Sequence, residues 1–255
     1  MVKTEPGVRI GLAGWSEAVS RRSASFPAPV RDGEKVPALG RYASVFDFVE
    51  INASFYRQFG ADTYARWAAE TPDDFRFAVK MPRLITHFTR LKNPDLIGPF
   101  LATVSGLGDK LAALLVQLPP SLAFDSAVAV VFLDALRASY GGALVCEPRH
   151  PSWLSNEARE VLASHRIGLV STVVPEAMEE PGDTGVPLYV RLHGTPRRYY
   201  SAYTGEQLAQ LAEFLRLNPR RQRFVVFDNT ASGAAVKNAM ELRERLAVAC
   251  GGGHV

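Results

Sequence analysis

The chain has 255 residues, of which 47% are hydrophobic and 22% charged, and its formal net charge is +3. This is the composition of an ordinary soluble globular protein, and so small a charge does not by itself imply a polyanion as partner. No apolar stretch approaches the ~20 residues of a membrane span, and the sequence shows neither a signal-peptide core nor a cysteine framework, so we expect a cytoplasmic protein with reduced thiols and no membrane partner.

Short apolar runs that stop at a polar residue recur along the whole chain. In chain order they cover residues 8–12, 46–49, 75–79, 114–116, 143–146, 167–170, 188–190 and 224–227. Parallel strands buried on both faces form such continuous runs, and segments with helical spacing separate them. The alternation predicts an α/β fold, a single (β/α)8 TIM-type barrel whose C-terminal strand ends gather the side chains that handle ligands. We expect one domain over residues 1–250 and a flexible tail at 251–255.

Helices are expected between most of these strands. The segments with helical spacing cover residues 62–70, 100–104, 127–138, 155–165, 206–217 and 238–249. Thr204 and Gln207, at the start of the fifth segment, have the spacing of a capping box. Residues 16–37 form a long loop, and residues 174–187 are too short and broken for a full sixth helix, which we therefore predict to be degenerate.

Three of the strand-end residues are carboxylates, Glu50, Glu147 and Asp228. In a barrel they point toward one shared volume, where paired carboxylates act as acid and base or hold a metal ion. For Glu147, a purely structural ion pair with Arg149, two residues further on, is the competing interpretation. As a set of three at one mouth, the carboxylates indicate a site.

Lys80 ends the third predicted strand, and burying an ammonium group without a partner is costly. We therefore expect Lys80 within salt-bridge reach of Glu50 or Glu147. The remaining alternatives are that Lys80 binds an anion or, with a pKa lowered by burial, forms a Schiff base.

An anion site is predicted from two further segments. Arg191 and His193 lie two residues apart, on the same side of a strand, and suit a phosphate or carboxylate group together with a proton donor. Residues 229–233 leave the eighth strand and open a helix, whose free N–H groups attract anions. We expect both segments to bind one anion, with a simple helix cap at Asn229 as the equally supported alternative.

A metal site is another use of the same residues. Its donors would be three histidines and two carboxylates, namely His87, His150, His193, Glu147 and Asp228. The sequence has no HxH, no HExxH and no cysteine cluster. No cofactor is therefore predicted, and a divalent metal is kept as the alternative.

The chain resembles the YecE-like family, known as domain of unknown function family 72. The resemblance is carried by residues 11–16 (GLAGWS), 26–27, 49–57 (VEINASFYR), 71–72, 75–80, 82–87, 117–120, 147–153 (EPRHPSW), 189–194 (YVRLHG), 227–230 (FDNT), 235 and 238–239. These segments occur in order over essentially the whole chain. The resemblance implies a TIM-type barrel, and because the family's role is unsettled, it implies no activity.

Three positions depart from the family's usual pattern. Glu17 stands where the family commonly has Tyr followed by a nearby Trp. The sixth strand ends at Ser171-Thr172 without the Asp that is common there, and Asp228 stands where Asn is frequent, which adds a negative charge to the mouth.

The mixture of three carboxylates, three bases and several amides at the mouth is richer than an anion-binding pocket requires. We therefore expect an enzyme, a hydrolase or an isomerase or lyase, acting by acid–base chemistry on a phosphate-bearing substrate, either a sugar phosphate or derived from nucleic acid. The expected catalytic residues are Glu50, Lys80, Glu147 and His193. The expected substrate-binding residues are Trp15, Asn52, Tyr56, His87, Gln117, Arg149, His150, Trp153, Arg191, Asp228 and Asn229. The alternatives are a metal-dependent phosphodiesterase or endonuclease, and a non-enzymatic module that binds nucleic acid or another ligand.

Overall fold

Eight parallel strands pair side by side in a computed structural model that describes residues 7–16, 26, 30–31, 34–174, 185–219 and 222–250. They are β1 Val8–Ala13, β2 Phe48–Ile51, β3 Arg76–Lys80, β4 Leu111–Gln117, β5 Leu144–Glu147, β6 Ile167–Leu169, β7 Leu188–Leu192 and β8 Arg223–Phe227. Their spatial order is β6-β5-β4-β3-β2-β1-β8-β7. A bridge between Ser171, just after β6, and Val190 of β7 brings the two edges together. The predicted TIM-type barrel is confirmed, and it is nearly closed.

Seven helices follow strands in the described part of the chain. They are α1 Ala38–Ala43, α2 Ala61–Ala69, α3 Ile97–Val104, α4 Ser126–Ser139, α5 Asn156–Ser164, α6 Gly205–Arg216 and α7 Ala234–Cys250. Shorter elements are the 3-10 turns Ala53–Phe55, Pro94–Leu96, Ser105–Lys110 and Pro151–Leu154, the π-helical turn Leu84–Phe88, and an antiparallel ribbon of Val30–Arg31 with Glu34–Lys35. None of the helices in these ranges is long and apolar enough to cross a membrane.

Side-chain caps mark the start of α4, α5 and α6, at Asp125, Ser155 and Thr204. The predicted capping box is confirmed, because the backbone N–H of Gln207 donates to Thr204 Oγ1 while the Gln207 side chain accepts from the Thr204 N–H. The last helix begins at Ala234 rather than at the predicted residue 238. The sequence did not predict α1, which has only six residues and so shows little helical periodicity. Residues 175–184, where the degenerate sixth helix was expected, and the tail 251–255 lie outside the described residues.

Strand alternation divides the core into two layers. Side chains that point outward pack against the helices, and those that point inward fill the barrel. The inward layer comprises Phe48, Ala78, Ala113, Leu115, Val145, Val170, Tyr189, Phe224 and Val226. Because side chains on one face recur every second residue, the next inward position of several strands is a polar residue at the C-terminal mouth.

The approach of β1 to β2 depends on Gly11. A Cβ atom there would overlap the carbonyl oxygen of Phe48 and crowd the Tyr42 hydroxyl. That hydroxyl accepts a hydrogen bond from the Leu12 N–H at 2.9 Å and donates one to Phe48 O at 2.8 Å. Tyr42 therefore joins the two strands beside the glycine.

Gly11→Ala is expected to destabilise the protein, because the new methyl group forces β1 away from β2 in a packed core. Such overpacking costs about 1–3 kcal/mol of unfolding free energy. Urea unfolding followed by circular dichroism measures this. Gly98→Ala is the matched control, since Gly98 lies in α3 with open space around it and alanine should be neutral or gain about 0.5–1 kcal/mol there. Equal stability of Gly11→Ala and wild type would contradict the tight approach of the strands.

Candidate functional site

Polar side chains from six strands gather at the C-terminal mouth of the barrel. They are Glu50, Lys80, Gln117, Glu147, Arg191 and Asp228, each two residues beyond an inward apolar residue of β2 to β8. The strands run parallel and in register, with Gln117 beside Glu147 and Arg191 beside Val226. The prediction that these strand ends lie at one mouth is therefore confirmed.

The Arg191 guanidinium is the centre of this group. Its Nη2 lies 2.7 Å from Glu50 Oε1 and 3.2 Å from Asp228 Oδ2, and its Nε lies 3.0 Å from Glu50 Oε2. The third nitrogen, Nη1, donates a short hydrogen bond to Glu147. We call Arg191 with Glu50, Glu147 and Asp228 the Arg191 cluster.

The Arg191 cluster is deeply buried, and its charges stabilise one another. Burial alone would lower the pKa of Arg191, but Glu50, Glu147 and Asp228 outweigh it and raise that pKa well above its usual value. Burial would likewise raise the pKa of Glu147, yet Arg191 and His193 hold it well below its usual range. The guanidinium therefore stays charged and Glu147 stays ionised.

The Arg191 cluster changes the predicted role of Arg191. The side chain is 0% exposed and every one of its nitrogens donates to a carboxylate. A substrate anion would have to compete with these carboxylates, so the contacts of Arg191 do not support the predicted anion site, which stays a prediction. Arg191 instead orients the three acids.

Asn229 is also engaged within the protein. Its Nδ2 donates to the carbonyl oxygen of Ser201 at 2.9 Å and to Asn238 Oδ1 at 3.1 Å. The side chain is completely buried, so it holds the loops after β7 and β8 together. The predicted contact of Asn229 with a substrate finds no support in this geometry.

His193 lies between two of the acids. Its Nδ1 is 2.9 Å from Asp228 Oδ2 and its Nε2 is 3.3 Å from Glu147 Oε1. A neutral imidazole donates from only one nitrogen, so the tautomer decides which of the two carboxylates accepts a hydrogen bond from the ring. Arg149 Nη2 lies 2.9 Å from the same Glu147 oxygen, and this is the ion pair that the sequence spacing suggested as the competing role.

The site also contains two aromatic residues that the sequence analysis did not single out. The Tyr189 hydroxyl donates to Glu50 Oε2 at 2.8 Å, and burial raises its pKa well above the usual value, so it stays a donor. The Phe55 ring lies 4.1 Å from Lys80 Nζ. Tyr189 could have been found from its position two residues before Arg191. Phe55 could not, because it lies in a turn without strand periodicity.

Lys80 forms no salt bridge with any carboxylate among the described residues, so the prediction that Glu50 or Glu147 pairs with it is wrong. The reason is that Arg191 contacts both oxygens of Glu50 and Oε2 of Glu147, while Arg149 and His193 contact Oε1 of Glu147. Lys80 is only 7% exposed. Burial, and then the positive charge of Arg191, lowers its pKa to about 8, although the nearby carboxylates raise it.

A group of cations lies on the Lys80 side of the mouth. Burial lowers the pKa of His87, and the charges of Lys80, Arg149 and Arg83 lower it further. The His87 ring packs edge-on against Phe55 at 4.8 Å, and Thr86 Oγ1 lies 2.9 Å from its Nδ1. Three positively charged side chains, Lys80, Arg149 and Arg83, therefore lie near His87, and of these Arg149 is also paired with Glu147.

The remaining predicted binding residues divide into two sets. Asn52 and His150 are half-buried in loops at the mouth, Tyr56 there is strongly exposed, and Gln117 is buried beside Glu147. Two tryptophans have structural contacts instead. Trp153 is 2% exposed and donates from its indole nitrogen to Leu122 O, and Trp15 packs edge-on against Trp67 of α2. The structure thus gives Trp153 no open face toward the mouth.

No group of three or more His, Cys, Asp or Glu side chains in the described ranges has an arrangement that could hold a metal ion. The nearest acids direct their oxygens to Arg191, and His87 and His150 bond to neighbouring Thr86 and Ser152. The donor set that the sequence suggested is not assembled.

Comparison with known proteins gives consistent matches over the chain. The model of the family "Protein of unknown function DUF72" matches residues 9–252. The UPF0759 protein YecE of Escherichia coli K12 is 32% identical over 155 residues, which are 60% of this chain and 52% of YecE, so the match spans about half of that relative. The UPF0759 protein YunF of Bacillus subtilis is 27% identical, with 94% of each protein covered.

Solved structures show the same architecture. A DUF72 family protein from Thermotoga maritima superposes with a TM-score of 0.75 at 29% identity, covering 94% of this chain and 98% of that one. A DUF72 family protein from Enterococcus faecalis gives a TM-score of 0.72 at 23% identity over 94% and 95% of the two chains, a likeness of fold.

Arg191→Met is expected to destabilise the protein by about 3–5 kcal/mol, because removing one partner leaves buried charges unpaired. The loss should be largest near neutral pH and shrink toward about pH 5, where Glu147, whose pKa the guanidinium no longer holds low, takes up a proton. Urea unfolding at both pH values measures it. Arg66→Met, which removes only an exposed partner of Glu70, should change stability by less than about 1 kcal/mol. A loss that does not depend on pH would contradict the charge balance.

Lys80→Met is expected to stabilise the protein. A pKa lowered to about 8 from 10.5 means that the folded state disfavours the ammonium by about 3 kcal/mol below pH 8. Between pH 8 and 10.5 the unfolded chain binds more protons, so wild-type stability rises with pH and the difference between the two proteins shrinks. Thermal unfolding at about pH 7 and pH 9.5 measures this. If Lys80→Met is less stable than wild type at pH 7, Lys80 has a structural role.

Proposed function

We propose that the chain, which belongs to the DUF72 family of proteins of unknown function, is an enzyme that moves protons on a small phosphate-bearing substrate at the C-terminal mouth of its barrel. The observation that carries the proposal is the burial of Lys80 without a salt bridge and with a lowered pKa. A buried lysine without a salt bridge lowers stability, and strongly perturbed titratable groups in a mouth of this fold are where acid–base chemistry occurs.

Lys80 suits the role of a general base. With a pKa of about 8, roughly a tenth of the amine is unprotonated at pH 7. A general base works best when its pKa lies near the operating pH. The ring of Phe55 under the ammonium and the hydrogen bond from Ser54 Oγ to the Lys80 carbonyl, 2.7 Å long, fix where the amine lies.

The substrate's phosphate group is assigned to the cationic side of the mouth. Arg149 is partly exposed and keeps N–H groups beyond those that meet Glu147. His87 lies in the field of Lys80, Arg149 and Arg83, and an anion there relieves their mutual repulsion. A phosphate bound by Arg149 and His87 would lie beside the Lys80 amine.

Asp228 and His193 form the second proton-transferring pair. Asp228 keeps 13% of its side chain exposed and His193 6%, whereas Glu50 and Glu147 are sealed in the Arg191 cluster. The two acids that the sequence suggested as catalytic would then be positioning residues. They hold Arg191 and His193, and through them Asp228, in one orientation.

Hydrogen–deuterium exchange tests the proposal without knowledge of the overall reaction. Triose, pentose and hexose phosphates with a carbonyl group are incubated with the protein in deuterated buffer, and proton NMR follows loss of the C–H signal next to the carbonyl. The neutral Lys80 amine takes that proton, and the resulting ammonium exchanges with solvent before it returns a deuteron. Exchange should become faster as pH rises and level off above about 8, since only the neutral amine is a base.

Variants and substrates provide the controls. Lys80→Met should lower the exchange rate by about 10²-fold or more. Arg149→Ala should mainly raise the substrate concentration at which exchange is half-maximal. Lys92→Met, at an exposed lysine, should exchange like wild type, and the non-phosphorylated triose should exchange poorly. Absence of exchange with the whole panel above pH 8, or equal rates in wild type and Lys80→Met, would overturn the proposal.

A further inference from the structure

The strongly exposed aromatic side chains of the described residues all lie on the loops of the C-terminal mouth. Tyr56, after β2, is 67% exposed, and Phe88, after β3, is 65% exposed. Tyr200 and its neighbour Tyr199, after β7, are 45% and 38% exposed. An aromatic ring left in water is costly, and a set confined to one end of the molecule marks a binding surface.

An arginine accompanies each of these rings. The guanidinium of Arg83 lies 5.6 Å from the Tyr56 ring centre and 5.3 Å from that of Phe88. The guanidinium of Arg197 lies 4.0 Å from the Tyr200 ring centre. Within the described part of the chain, neither arginine forms a salt bridge with a carboxylate. We call Tyr56, Arg83, Phe88, Arg197 and Tyr200 the aromatic rim.

The loops that carry the aromatic rim are free of negative charge. Residues 52–60, 81–93, 148–155 and 193–204 contain no Asp or Glu, but they contain Arg57, Arg83, Arg90, Lys92, Arg149, Arg197 and Arg198. At the opposite end of the barrel, the segment before β3 includes Asp73 and Asp74. These four segments therefore carry an excess of positive charge.

We propose that the aromatic rim binds a single strand of nucleic acid, with unpaired bases stacked on Tyr56, Phe88 and Tyr200 and phosphates bound by Arg83 and Arg197. Alternating aromatic rings and unpaired cations are the chemistry of sequence-tolerant strand binding. Only an unpaired base offers its face to a side chain, so a duplex would meet the arginines but not the rings.

The rim residues are held in place before any ligand binds. Two hydrogen bonds join the loop of Tyr200 to the loop after β8. Ser232 Oγ donates to Tyr200 O at 2.6 Å, and the Ala231 N–H donates to Tyr199 O at 3.1 Å. Tyr199 has a positive φ of 67°, a conformation that a non-glycine residue keeps only when its surroundings impose it. Arg83 immediately precedes the π-helical turn Leu84–Phe88 and Phe88 ends it, and π-helical turns are rare elements that frequently occur at functional sites.

Other occupants fit the aromatic rim less well. A sugar platform also uses aromatic faces, but sugar hydroxyls need acceptors as well as donors, and these loops offer no carboxylate. A protein partner would favour one contiguous apolar patch, whereas here the rings belong to loops after β2 and β3 and after β7, each beside a cation. A polyanion with exposed flat rings matches both the exposed aromatic side chains and the arginines beside them.

Fluorescence polarisation with a labelled twelve-nucleotide strand tests the inference. Oligothymidine and oligouridine are compared with a duplex of equal length, at about 50 mM and about 200 mM salt. Wild type should bind both single strands at least about tenfold more tightly than the duplex. Tyr56→Ala, Phe88→Ala and Tyr200→Ala should each weaken single-strand binding by about fivefold or more. A preference between the two strands would identify DNA or RNA as the ligand.

Matched variants separate stacking from charge. Arg83→Gln and Arg197→Gln should make the dependence of log affinity on log salt shallower by about 0.7 each, the loss of one phosphate contact. Leu217→Ala, at an exposed apolar residue after α6, and Arg66→Gln, at an exposed arginine of α2, should bind like wild type. Equal affinity for duplex and single strand with no effect of the aromatic variants, or no binding at the lower salt concentration, would overturn the inference. The readout involves no turnover, so its outcome is independent of the exchange assay.

Discussion

The neutralisation of Arg191 by Glu50, Glu147 and Asp228 is the constraint on which the mouth of this barrel depends. A guanidinium at 0% exposure is tolerated only because three acids meet its nitrogens. The same contacts fix each acid in turn, and Tyr189, His193 and Arg149 form further bonds to these carboxylates. The charges of four strands are thereby locked into one rigid group.

The isolation of Lys80 follows directly from that arrangement. The acids that would otherwise pair with its ammonium are already bound to a stronger, bidentate partner. Lys80 is left against the ring of Phe55 with a lowered pKa, a position that lowers stability and favours reactivity. In the proposed reaction Arg191 does not contact the substrate. It binds the carboxylates, and Lys80 therefore does not pair with them.

The positions at which the chain departs from its family fit this picture in part. Asp228, where Asn is frequent, bonds to both Arg191 and His193, so its additional charge is balanced within the site. Ser171, which stands near the place of a common Asp, pairs with Val190 and helps to close the barrel rather than to build the site. Glu17 lies outside the described residues.

The sequence by itself determined the barrel, the strand ends and the inventory of polar residues at the mouth, because apolar runs and side-chain alternation are local properties of the chain. It also determined the capping box at Thr204, a contact over three residues. Only the tertiary structure decided which charges pair. Arg191 is 141 residues from Glu50 and 44 from Glu147 along the chain, and no local pattern states whether an acid will meet Arg191 or Lys80. Distances across the nearly closed barrel decide this competition, and they place the acids against Arg191 and not against Lys80.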